Sequence, residues 1–168
     1  MGLSNALSGG IILFGIVYVI FTFMGITDTA ASFSDVRSQI SDLENKLLKT
    51  SIVIVIEDDP GTNRDFNFNM TNTNSEKLWD WENFDVITTY ENGGTTYTET
   101  LTYSPICNQI GYWCVHSWIV DVLDPEILNE GETLNIRAKV DNQLQADTTV
   151  IVIISTPNGV VASATRTV

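Results

Sequence analysis

The order of apolar and polar residues divides the chain into three parts. Residues 1–27 contain no Asp, Glu, Lys, Arg or His and are mostly apolar, whereas residues 28–49 repeat an apolar side chain every three or four positions. From residue 50 to residue 168 the pattern changes to short β-branched or alternating stretches separated by turn residues. Since a period of 3.6 residues indicates a helix and a period of two indicates a strand, we predict an N-terminal helix followed by a β-domain.

The first part, residues 1–27, has the length and composition of a membrane-spanning helix. About 20 apolar residues cross a hydrocarbon layer of about 30 Å, and the stretch from Leu7 to Ile26 supplies them. A cleaved signal peptide is the alternative, because Thr29-Ala30-Ala31 resembles a cleavage site. However, no Lys or Arg precedes the apolar run, which is longer than the apolar core of a signal peptide. We therefore expect one transmembrane helix. The α-amino group in front of it favours a cytoplasmic N-terminus and a β-domain outside.

The second part, residues 28–49, predicts a helical stalk that continues the first helix. Because no proline interrupts residues 7–49, the combined helix would be on the order of 60 Å long. Two interpretations of its apolar stripe stay open: it packs on the protein's own sheet, or it pairs with a second copy in a short coiled coil. The stripe consists of Phe33, Val36, Ile40, Leu43 and Leu47.

The third part, residues 50–168, predicts a mainly β extracytoplasmic domain. Glycines at positions 93 and 94 supply the positive φ angles of a tight hairpin between two of its strands. Seven or eight short strands without helical periods between them are typical of an antiparallel β-sandwich. The predicted strands cover residues 51–56, 64–70, 84–90, 95–103, 112–123, 133–140, 148–154 and 160–168.

Charge limits the classes of partner. The chain has 8 Lys and Arg against 21 Asp and Glu, a formal net charge of −13, which excludes binding to the phosphates of nucleic acids. The acidity is compatible with a solubilising surface, with a basic partner or multivalent cations, and with an acidic habitat.

No residue pattern predicts catalysis, a metal site or a cofactor. The only histidine, His116, is followed by Ser117, but neighbours on a strand point to opposite faces and cannot form a catalytic pair. The acidic pairs at residues 58–59 and at positions 121 and 124 do not match the spacing of a calcium-binding loop and are better explained as turn residues. We predict that the protein is not an enzyme.

Three smaller features are candidate sites. Cys107 and Cys114, the only cysteines, predict a disulfide if the domain is outside the cell, although two buried thiols are the alternative. Asn69 begins an Asn-X-Thr sequence and is a candidate for N-glycosylation. Trp79 and Trp81 either seal one end of the sandwich or form an interface. If one of them is exposed beside an open strand edge, that edge is a candidate for pairing with a second copy.

Taken together, several features resemble the archaellum stator family FlaF/ArlF of archaeal motility machinery. The likeness covers the whole layout of the chain, although the stretch at residues 156–160 is shared with relatives such as FlaG and the archaellins. The features are the opening Met1-Gly2-Leu3-Ser4, the uncharged apolar stretch at residues 9–15, the Ser34-Asp35-Val36-Arg37 segment and the β-domain that follows.

The resemblance implies a single-span protein whose immunoglobulin-like sandwich lies between the cytoplasmic membrane and the surface layer. Such a protein forms a homodimer, binds the surface-layer protein, works beside a FlaG-like stator component and holds the motor stationary. The alternative is an archaellin-like or pilin-like filament subunit or a FlaG-like filament component. Filament subunits usually carry a charged leader, and only Met1 precedes Gly2 here. The resemblance carries over no residues for the dimer or surface-layer contacts.

Overall fold

The computed structural model describes residues 2–57 and 64–168, with all side chains in those ranges except those of residues 2–8 and 26–31. The turn predicted at residues 58–61 therefore lies outside the described residues, and the predicted anchor, residues 1–27, lies partly outside them. The chain divides into two compact units, Met1–Glu44 and Asn45–Val168.

One long helix begins the chain. Helix α1 runs without interruption over Gly2–Lys49, and its apolar side chains within residues 11–24 are exposed. Lys46 and Lys49 lie in its last turn, where a positive charge interacts favourably with the negative end of the helix dipole. The Thr50 hydroxyl donates a hydrogen bond to the carbonyl oxygen of Lys46 at 2.8 Å and closes this end. Among the described residues, no helix is both long enough and apolar enough to span a bilayer.

The described residues of the β-domain form eight strands, and the prediction of a mainly β fold after an N-terminal helix is confirmed. A short 3₁₀ turn over Trp81–Asn83 lies between the second and third strands. The strands are β1 (Ile52–Ile56), β2 (Asp65–Asn72), β3 (Asp85–Asn92), β4 (Thr95–Tyr103), β5 (Tyr112–Val120), β6 (Thr133–Lys139), β7 (Thr149–Ser155) and β8 (Val161–Thr167).

The strand order is β1-β2-β6-β5-β4-β3-β7-β8. All neighbours pair antiparallel except β5 and β4, whose short parallel contact joins only Thr102 to Tyr112 and Tyr103 to Trp113. The sandwich thus consists of two antiparallel four-stranded sheets that meet at this two-residue junction. The predicted antiparallel β-sandwich is confirmed, with one short parallel pairing between β4 and β5.

The alternation of side chains along the strands builds the core. Phe66, Phe68 and Met70 of β2 are buried on one face, as their period-two spacing predicts. Between β3 and β4 the two-residue loop of Gly93 and Gly94 has φ angles of 58° and 76°, the positive values required by a tight hairpin.

Candidate interaction surface

The two tryptophans that the sequence singled out have different environments. Trp81 is 9% exposed and packs against Phe84 and Trp118, with ring centroids 5.2 and 6.1 Å apart. Trp79 is 62% exposed. Trp81 therefore belongs to the core, whereas the indole of Trp79 lies at the surface.

Trp79 forms one wall of a depression of about 540 Å³, which we name the aromatic groove. It lies beyond the end of β4 at Tyr103, where β5 continues without β4 beside it, and its lining is mostly aromatic side chains, proline and aliphatic side chains. Its lining includes Trp79, Trp81, Tyr103, Val115, Trp118 and Glu126.

Strand β5 borders this groove and has one open edge. Its other edge pairs with β6 along its length, with two bulges that shift the register near His116 and Ile119. On the open side only Tyr112 and Trp113 pair with β4, and in the described part of the chain no strand pairs with residues 116–120 on that side. The side chains of His116, Ser117 and Ile119 are exposed. We name residues 116–120 the β5 edge.

The groove is acidic. Burial raises the pKa of Tyr103 above its ordinary value of 10.0, and the nearby carboxylates of Glu82 and Glu126 raise this pKa further. The one lysine close to this region in sequence, Lys77, is held in an ion pair with Asp124 at 2.5 Å. A ligand in the groove therefore meets the carboxylate of Glu126 together with aromatic side chains, and Glu82 lies close enough to act on Tyr103.

Glu132 fixes the loop that follows the β5 edge. Its carboxylate is 3% exposed, and its Oε1 accepts hydrogen bonds from the backbone N–H groups of Val122 and Leu123 at 2.8 and 2.9 Å. Oε2 accepts from the N–H and from Nδ2 of Asn129 at 2.8 and 3.0 Å. Burial alone would raise the pKa of Glu132, but these hydrogen bonds outweigh it and lower the pKa to about 2.

Glu132 also explains why β5 is shorter than predicted. The sequence predicted a strand over residues 112–123, yet β5 ends at Val120. Val122 and Leu123 donate their backbone N–H groups to the carboxylate of Glu132. These residues therefore do not continue the pairing of β5, even though their side chains are apolar.

The two cysteines lie at the opposite end of β5. The structure joins Cys107 and Cys114 in a disulfide, with Cα atoms 5.3 Å apart. The Cys107 sulfur also lies 3.7 Å from the carbonyl oxygen of Val115. The bond therefore holds the β4–β5 loop against β5 immediately before the β5 edge begins.

The remaining candidate residues do not line the groove. Asn69 is in the middle of β2, where its Oδ1 accepts a hydrogen bond from Nδ2 of Asn135 at 2.9 Å, so the candidate glycosylation site lies on a paired strand rather than in a loop. Its modification remains a prediction. All five side chains of the stalk stripe are exposed; they are Phe33, Val36, Ile40, Leu43 and Leu47.

Sequence reasoning missed two parts of this surface. The strand pattern predicts no contact for Trp118, and the only signal is that all four tryptophans of the chain lie within 40 positions. Glu132 was counted among the charges, and nothing in its sequence neighbourhood distinguishes it from exposed Glu130. Among the described residues, no three side chains of His, Cys, Asp or Glu lie together as metal ligands would.

Comparison with solved structures assigns the fold. The archaellum periplasmic stator protein FlaG from Sulfolobus acidocaldarius is 20% identical, with a TM-score of 0.51 over 70% of this chain and 99% of that chain. The complex of the stator proteins FlaF and FlaG from the same organism matches at 19% identity and a TM-score of 0.50, over 68% of this chain and 87% of that chain. The chain has the fold of the archaellum stator proteins.

A filament structure shares the fold as well. The archaeal flagellum of Methanospirillum hungatei strain JF1 matches at 16% identity and a TM-score of 0.56, over 96% of this chain and 92% of that chain. No family model matches the sequence, and no curated protein matches it.

Proposed function

We propose that this chain is a non-enzymatic structural component of the archaellum stator. The observation that carries the proposal is the sandwich fold, which the chain shares with two structures of archaellum periplasmic stator proteins. A motor turns against its surroundings only if its stationary part is fixed, and a long helix followed by a compact domain suits such a tether.

The proposed tether has two attachment points. Residues 1–27 anchor it in the cytoplasmic membrane as a single span, which the run of exposed apolar side chains in α1 supports. The sandwich lies outside, between membrane and surface layer, where it binds the surface-layer protein. A FlaG-like component is the second proposed partner, since one of the matching structures is a complex of FlaF with FlaG.

Binding to surface-layer material tests the proposed function. The full chain in mild detergent should sediment with isolated surface-layer sheets and stay in solution without them, because the stator must hold a fixed part of the envelope. An unrelated acidic sandwich protein of similar net charge is the control. Surface-layer binding is wrong if the chain stays in the supernatant in the presence of the sheets. It is also wrong if the chain sediments only under conditions in which the acidic control sediments as well.

A filament subunit is the second candidate. It is favoured by the match to the archaeal flagellum, which extends over nearly the whole chain, α1 included, whereas the stator matches cover about 70% of it. In this case sheared filaments would contain many copies of the chain, with their N-terminal helices packed together. Electron microscopy and mass spectrometry of sheared filaments distinguish the two, because a stator component stays with the membrane fraction.

The stalk stripe supports a homodimer. Five exposed apolar side chains at heptad spacing on one helix face are buried when two copies pair. Replacing Ile40, in the middle of the stripe, with Asp places two buried carboxylates opposite each other and should weaken dimerisation by at least about tenfold. Analytical ultracentrifugation of the full chain in detergent measures this change.

Ser38 offers a matched control. It lies on the opposite side of the helix from Ile40, so Ser38→Asp adds the same charge outside the stripe. This variant should dimerise like the wild type. Equal dimerisation of Ile40→Asp and Ser38→Asp would place the dimer contact elsewhere.

A further inference from the structure

We propose that the β5 edge and the aromatic groove together bind an extended segment of another protein that carries a lysine or arginine side chain. The segment pairs with β5 as an added strand, and its cationic side chain enters the groove between Trp79 and Glu126. This site does not depend on the stator role, since it is argued from the sandwich alone.

The β5 edge supplies the backbone half of the site. In the β5 edge, Ser117, Trp118 and Val120 pair with β6, and within the described part of the chain no strand pairs on the other side, so the outward N–H and C=O groups of this edge are available to a new strand. Strand addition of this kind provides affinity through main-chain hydrogen bonds and leaves specificity to side-chain pockets. The loop after the edge is held back by Glu132, and the loop before it by the disulfide, so neither is free to fold over the edge.

The aromatic groove supplies the pocket. Val115 and Trp118 of β5 line it, so a side chain of the added strand that points toward the domain interior lies next to them. The exposed indole of Trp79 and the carboxylate of Glu126 border the same space. Aromatic faces attract cations, and an arginine or lysine stem packs well against them. Glu126 adds a negative charge that no lysine or arginine of the groove lining offsets, and Glu82 acts on Tyr103 in the same direction.

The charges favour a different protein over a second copy as the occupant. If two β5 edges paired with each other, the segment entering each groove would come from residues 114–120, which contain no lysine or arginine. Each groove would keep its carboxylates without a counter-charge, and two chains of net charge −13 would be brought together. A basic extended segment removes both costs.

A synthetic peptide tests the site directly. The probe is the nine-residue peptide TVSVKVSVT with blocked ends, titrated into the full chain in detergent while tryptophan fluorescence is recorded. Replacing its central lysine with glutamate should weaken binding at least about tenfold, because a carboxylate would face Glu126 and Glu82. Methylating alternate backbone nitrogens of the peptide should also weaken binding at least about tenfold, because the added strand loses its donors.

Protein variants locate the binding site. Glu126→Gln should weaken the lysine peptide several-fold and leave a peptide with serine at that position unchanged, whereas Glu130→Gln, an exposed acid outside the groove lining, should affect neither. Trp79→Ala should weaken the lysine peptide and remove most of the fluorescence change.

Three results would overturn the proposal. The first is that the lysine peptide does not bind at millimolar concentration. The second is that the glutamate peptide and the methylated peptide both bind as tightly as the lysine peptide. The third is that dimerisation of the chain through β5 displaces the peptide. Displacement by a neutral oligosaccharide would likewise assign the groove to a glycan instead of a polypeptide.

Discussion

Replacing Trp113 with alanine should lower the free energy of unfolding by about 3–5 kcal/mol, the usual cost of truncating a large buried aromatic side chain. Trp113 is 1% exposed, pairs with Ala138 on β6 and packs edge-on against Tyr103 with ring centroids 5.0 Å apart. It also forms half of the two-residue junction between the sheets. Its removal therefore leaves a cavity at the point where the two sheets are joined.

Trp79→Ala is the matched control for this truncation. It deletes the same side chain from an exposed position, where substitutions usually change stability by no more than about 0.5 kcal/mol. Guanidinium unfolding of the full chain, followed by near-ultraviolet circular dichroism, measures both variants. Equal transition midpoints for Trp113→Ala and Trp79→Ala would contradict the packing described here.

Replacing Glu132 with glutamine should lower the free energy of unfolding at neutral pH by about 2–3 kcal/mol, since hydrogen bonds to a charged group contribute about 1.5–3 kcal/mol and several are involved. Glutamine has nearly the same shape but replaces one oxygen with an NH₂ group. That group would point its hydrogens at backbone N–H groups, either those of Val122 and Leu123 or that of Asn129. Glu130→Gln removes the same charge two residues away from an exposed position and should have little effect.

The stabilisation by Glu132 should also depend on pH. Its pKa in the folded protein is about 2, below the ordinary 4.5, so its contribution is complete above about pH 4.5 and is lost as the pH falls toward 2. The difference in stability between wild type and Glu132→Gln should therefore narrow over that interval, while Glu130→Gln follows the wild type. A constant difference from pH 7 to pH 2 would show that the carboxylate is not held in its ionised form by these bonds.

The strands could be predicted from the sequence because each depends on local pattern. A few residues are enough to predict which face of a strand is buried, as the alternation of Phe66, Phe68 and Met70 does for β2. The chain reversal between β3 and β4 is likewise predicted by the paired glycines at 93 and 94. The eight strands follow these signals to within a few residues at most ends.

The candidate site could not be predicted in the same way because its parts are distant in sequence. The groove is lined by residues from different segments of the chain, which only the folded domain brings together: Trp79, Tyr103, Trp118 and Glu126. The length of β5 depended on Glu132, which acts across about ten positions through backbone N–H groups that every residue possesses. Likewise, the different exposure of Trp79 and Trp81 reflects the packing of Trp81 on Trp118 and Phe84 rather than any difference between the two residues themselves.

The strand order has a mechanical consequence. Along the hydrogen-bonded strand order, a pull that enters the domain at β1, directly after α1, reaches the β5 edge through the ladders of β1 with β2, β2 with β6 and β6 with β5. If a partner strand on β5 is pulled along the direction of the strands, its hydrogen bonds are strained simultaneously rather than opened one after another from an end. Such an attachment would resist a shear force along the strands much better than a force that opens the strand pair from one end. The direction of the applied force would therefore decide how long the attachment lasts.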